Sequence, residues 1–134
     1  MAILLSMILF LSSCTHESKL AGEWISTRDN GSTDTLVLKE DGTIFEMSNN
    51  QLLSITGQAN VVSKYEVDNS HSPHWIDFVI MNEGKEAMRI KGIYKMLSEK
   101  SMRICYHFDL YDSTRSLDRP SDFIGNETAI LTRK

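Results

Sequence analysis

The chain has no apolar run long enough to span a bilayer, no cluster of basic residues, almost no cysteine and no helical hydrophobic spacing. The longest oily stretch, 2–11, is apolar except for Ser6. As a helix it would cover about 15 Å, half of what a bilayer core requires. A spanning helix is therefore excluded for this stretch. Fourteen Lys and Arg are scattered along 134 residues and the formal charge is −4. Nucleic-acid binding calls for clustered positive charge, so that class is set aside. With two cysteines, Cys14 and Cys105, no disulfide framework is expected. Neither cofactor nor metal is expected: His71-x-x-His74 flanks Pro73 in a turn and no third ligand follows at useful spacing. No motif places a second carboxylate or a nucleophile beside any candidate acid, so the domain reads as non-enzymatic.

What is present begins with an address. The ten-residue apolar run suits the core of a signal peptide, although no Lys or Arg precedes it. It leads into Leu11-Ser12-Ser13-Cys14, which resembles the lipobox of bacterial lipoproteins. The competing reading is an apolar strand, but a ten-residue run broken only by Ser6 does not alternate as a half-buried strand should. The resemblance implies cleavage after residue 13, a diacylglyceryl thioether on Cys14, and anchoring through acyl chains. Each buried methylene would contribute about 0.8 kcal/mol. Thr15, where aspartate often marks inner-membrane retention in that family, implies the outer membrane if the source has two membranes. The expected organisation is a signal peptide over 1–13, a polar lipidated tether over 14–20 and one domain over 21–134, of ordinary single-domain size.

Within the domain the side chains alternate, as on a sheet that is wet on one face. Strands are expected at 22–28, 34–40, 43–48, 61–67, 74–81, 86–96, about 102–108 and 127–133. Residues 51–57 read as a weak strand or a loop. Asp41-Gly42 and 82–85 supply turns. The clearest alternation sets Met88, Ile90, Tyr94 and Met96 against Arg89, Lys91 and Lys95, with Gly92 on the apolar side, where a missing side chain permits a bend. Short strands, meander connections and the absence of crossover helices predict an all-β, up-and-down antiparallel barrel of about eight strands, whose closure removes exposed edges.

Gly22-Glu23-Trp24 resembles the Gly-x-Trp start of lipocalins. That likeness implies that Arg133, after the last strand, sits over the tryptophan. Ile76-Asp77-Phe78, Lys91-Gly92-Ile93-Tyr94, Arg103-Ile104-Cys105-Tyr106 and Arg119-Pro120-Ser121-Asp122-Phe123 resemble, in order and spacing, an uncharacterised lipocalin-like domain family of bacterial envelope proteins. The likeness covers most of 20–133 and implies a fold, not an activity.

Three groups of site residues follow. Tyr65, Met88, Tyr94, Met96, Met102, Tyr106 and Phe108, with Met47, are candidates to line the barrel interior, where flexible methionines suit either an adaptable apolar pocket or plain packing. Asp77, mid-strand on the face of Trp75 and Val79, calls for a cationic partner, Arg103 or Arg119, in a structural ion pair. Arg119 at the end of the long polar loop 109–122 either bonds the barrel wall, with Phe123 plugging one end, or meets a ligand carboxylate at the mouth. Cys105 reads as a small buried or half-buried side chain in a strand, not a reactive thiol. The functional expectation is a membrane-anchored envelope module whose barrel binds a small apolar or amphiphilic molecule. The alternative is a structural or interaction lipoprotein with a filled core.

Overall fold

In the computed structural model the described residues are 20–27, 31–48, 51–52, 60–107, 118–124 and 128–134. Phe108 and the expected tether, Cys14 included and Leu20 excepted, lie outside them, as does most of the stretch 51–57; Leu20 belongs to the barrel's buried core. The strands are β1 (Gly22–Thr27), β2 (Thr33–Leu38), β3 (Ile44–Ser48), β4 (Gln51–Leu52), β5 (Val61–Asp68), β6 (His74–Asn82), β7 (Lys85–Ser98), β8 (Ser101–Tyr106) and β9 (Thr128–Arg133). No helix occurs among the described residues.

All pairings are antiparallel, and the sheet order is β4-β3-β2-β1-β9-β8-β7-β6-β5. The sheet closes on itself between the start of β3 and β5. Thr43 bridges Lys64, and the Tyr65 amide donates to the Gly42 carbonyl at 2.9 Å. The result is an up-and-down barrel of the lipocalin-like kind, with eight wall strands and the two-residue β4 appended to β3.

Local chemistry sets the turns. Glu83 and Gly84 both have positive φ, 50° and 76°, the backbone that a two-residue hairpin needs to match strand twist. The 39–43 turn closes through Gly42 N–H to the Lys39 carbonyl at 3.1 Å. The Asp41 carboxylate accepts from the Thr43 amide at 2.9 Å and its hydroxyl at 2.6 Å. These bonds hold the Asp41 carboxyl below its usual range.

Strand direction defines two barrel ends. The turns at 39–43, 69–73 and 99–100 share one end with Leu20 and the C-terminus. The 83–84 turn and the strand ends at 27, 33, 61 and 106 share the other, the mouth. Inward side chains toward the first end form one buried cluster of Leu20, Trp24, Leu38, Tyr94, Met102, Ile104 and neighbours. Trp24 is completely buried, and its Nε1–H donates to the Leu20 carbonyl at 2.8 Å. That end is closed.

Candidate functional site

The lumen comes first. Register places Phe78 opposite Ile90 and Ile80 opposite Met88 across β6 and β7. With Tyr106 at the top of β8, these inward side chains lie on the mouth side of the buried cluster and are only half-buried. Phe78 meets Tyr106 edge-on at 5.7 Å, a favoured aromatic geometry. On the other side of the mouth the inward positions of β1 and β2 are polar, Ser26 and Asp34. The mouth-side lumen is thus oily on one wall and polar on the other.

The other candidate lining residues divide. Tyr65, Tyr94 and Met102 belong to the buried cluster, with Met96 packed against it. Two of them carry polar anchors: Tyr65 donates its hydroxyl to the Lys39 carbonyl at 2.7 Å, and Tyr94 donates to Asn69 Oδ1 at 2.5 Å. Burial raises the Tyr94 phenol above its ordinary value. These residues floor the lumen. A separate hollow of about 500 Å³, open to solvent, lies at the closed end. It is bordered by Ala21, Gly22, Leu38, Lys39, Glu40 and Asp41, and none of the candidate lining residues among the described ones borders it.

At the closed end the Arg133 guanidinium stands 4.6 Å from the Trp24 ring centre, and its carbons and Nε approach Gly22 to 3.7 Å of where a Cβ would lie. Gly22, Trp24 and Arg133 are therefore brought together.

The second assembly lies on the outer wall. Asp77 accepts from Arg119 Nη1 at 2.6 Å and from Arg89 Nη1 at 3.1 Å. Burial opposes ionisation of Asp77, but the two guanidinium bonds outweigh it and hold the carboxyl below its usual range. The same Arg119 nitrogen donates to the Gly92 carbonyl at 2.6 Å, and the guanidinium lies 4.2 Å from the Trp75 ring centre. The His71 ring stacks on Trp75 at 3.4 Å and 5°. Arg89 also binds Glu86 and Glu66, which keeps its guanidinium firmly protonated.

The partner of Asp77 is thus Arg119, joined by Arg89, and not Arg103. Arg103 instead lies 5.8 Å from the Phe123 ring centre. Because Met102 and Ile104 point inward, Arg103 points out, and Phe123 sits on the outer wall of β8, not across a barrel end. Arg119 likewise bonds the wall and not the mouth. The segment 118–124 is a strap over β6–β8. Outward-facing Ile93 and Cys105, opposite each other in register, are 1% and 0% exposed, and Pro120 of the strap is buried.

Gly92 has a role beyond a bend. A Cβ there would meet the Cys105 carbonyl at 2.9 Å and the Ile76 carbonyl at 3.1 Å. The glycine lets three strands close up where Arg119 reaches the backbone. His74 and His71 do not share a site: His74 Nδ1 pairs with the His71 carbonyl at 2.8 Å. No group of three or more His, Cys, Asp or Glu arranged to hold a metal ion occurs among the described residues.

The geometry defines an up-and-down β-barrel with a closed, filled end, a half-buried apolar mouth and a strap ion-paired to its outer wall. Compared with known proteins, the chain matches no family model, no curated protein and no solved structure.

Proposed function

We propose that this chain is a non-enzymatic, acyl-anchored lipoprotein of the cell envelope whose barrel takes up a small apolar or amphiphilic molecule at its mouth. The observation that carries the reading is the inward group Phe78, Ile80, Met88, Ile90 and Tyr106, half-buried above a sealed floor and facing polar Ser26 and Asp34. Apolar surface left half-wet at the barrel mouth gains from being covered, at about 25 cal/mol per Å². The two-sided lining suits a ligand with one polar end. The Gly22, Trp24 and Arg133 arrangement supports kinship with lipocalin-like proteins, and Leu11-Ser12-Ser13-Cys14 supports the anchor.

Native mass spectrometry of protein purified from its source is expected to show a retained small molecule. Titration with N-phenyl-1-naphthylamine is expected to give saturable fluorescence that Ile80→Trp, filling the mouth, reduces at least tenfold in affinity. No retained mass and no saturable signal would remove the reading.

A structural or interaction role is the second reading. It is favoured by one observation: the 500 Å³ hollow lies outside the lumen, while Trp24, Met102 and Ile104 fill the lower barrel.

A further inference from the structure

We propose that the anchored chain stands with the closed end of its barrel against the bilayer and its mouth turned away, so that a molecule entering the lumen comes from the aqueous side and not from the anchoring leaflet. This rests on the acylation of Cys14 proposed above.

The argument is one of reach. Leu20 is 2% exposed, and its carbonyl is held by the indole of Trp24 at the closed end. The point at which the tether leaves the barrel is therefore fixed by the core. Cys14 precedes Leu20 by six residues, which fully extended span at most about 22 Å. β6, with nine residues, runs from the closed-end turn to the mouth turn. Its eight residue-to-residue steps of about 3.3 Å, tilted by about 40°, separate the two ends by roughly 20 Å. To put the mouth on the membrane, the tether would have to run almost fully stretched up the whole wall and still place Cys14 among the acyl chains. With the closed end down, the same six residues have slack. The hollow bordered by Ala21, Gly22, Leu38 and Lys39 opens at that same end, next to Leu20, and would lie against the headgroups.

The orientation determines the source of the occupant. A mouth facing the anchoring leaflet would draw molecules from that bilayer. A mouth facing away receives them through water, from a carrier or from an opposed surface.

The test uses full-length protein extracted with its anchor and carrying Cys105→Ala, so that the buried native thiol cannot report. Single reporters are placed by Glu40→Cys at the closed end and by Lys85→Cys or Asp118→Cys at the mouth. All three positions are exposed. Each variant is labelled with bimane, checked by its melting curve and reconstituted into phosphatidylethanolamine–phosphatidylglycerol vesicles containing a headgroup nitroxide lipid. The Glu40→Cys label is expected to be quenched at least threefold more than either mouth label. Equal quenching, or stronger quenching at the mouth, overturns the orientation. Labelled palmitate incorporation and vesicle flotation are scored on the same samples. If both are lost, the anchor itself is refuted and the orientation falls with it. If both persist with the quenching reversed, the orientation alone is refuted.

Discussion

Replacing Asp77 with alanine tests whether the strap is held by charge. The carboxylate is 13% exposed and faces Arg119, 17% exposed, and Arg89, 28% exposed. Hydrogen bonds between charged groups contribute about 1.5–3 kcal/mol each. Arg89 keeps Glu66 and Glu86 when Asp77 is removed, so most of the loss falls on Arg119, left half-buried with only a carbonyl and a ring. A cost of about 2–4 kcal/mol follows, below the range for fully buried pairs because water still reaches both partners. For a domain of this size that lowers Tm at pH 7 by roughly 8–16 °C.

The pH dependence gives the sharper criterion. The folded pKa of Asp77 is depressed, so its contribution is complete above the unfolded value of about 3.9 and is lost as pH falls through the lower folded value. Calorimetric melts from pH 7 to pH 2 should therefore show the parent and the Asp77→Ala curves separated at neutral pH and converging in acid. A double cycle with Arg119→Ala should give a coupling of about 1–3 kcal/mol. Unchanged melting at pH 7, or a gap that does not narrow in acid, would refute the argument.

Gly92→Ala forces a methyl group against two backbone carbonyls, and chemical denaturation should register a loss of about 1–3 kcal/mol without a change in far-ultraviolet dichroism. Trp24→Phe removes the donor to the Leu20 carbonyl and part of the largest core side chain, so equilibrium unfolding should show a cost of about 2–4 kcal/mol. Cys105, 0% exposed, should resist a thiol reagent at neutral pH in the native state and react within seconds in denaturant. Rapid native labelling would contradict its place beneath the strap.

Much of the barrel was legible because alternation is a local property. The inward sets on β6 and β7, the Asp41-Gly42 turn and the 82–85 turn follow from side-chain order alone, and the strand bounds move by a residue or two. Asp77 announced itself as a carboxylate on a wall strand. Its second partner did not, because Arg89 reaches it through cross-strand register, and register is not written in a single strand. Cys105 reads as a small side chain at least half-buried in a strand, but the cover that buries it and Ile93 on the outward face was equally hidden. Nothing in their own neighbourhood signals a cover that arrives from residues 118–124. The same gap displaced Phe123: its sequence position after a long loop suggests a barrel end, whereas the strap turns down the wall.

The ring of strands is not equally strong around its circumference. Between β3 and β5, among the described residues, closure depends on one bridge, one amide bond and the Tyr65 hydroxyl on Lys39, whereas β1 and β9 share a short ladder of two pairs and the remaining wall strands share longer ones. This is where the cylinder would unzip first under thermal fluctuation. The Tyr65 amide should accordingly exchange its proton faster than those in the centre of β7. Prolonged opening there would bare two strand edges to other copies of the chain, which makes this joint the expected origin of any self-association on heating.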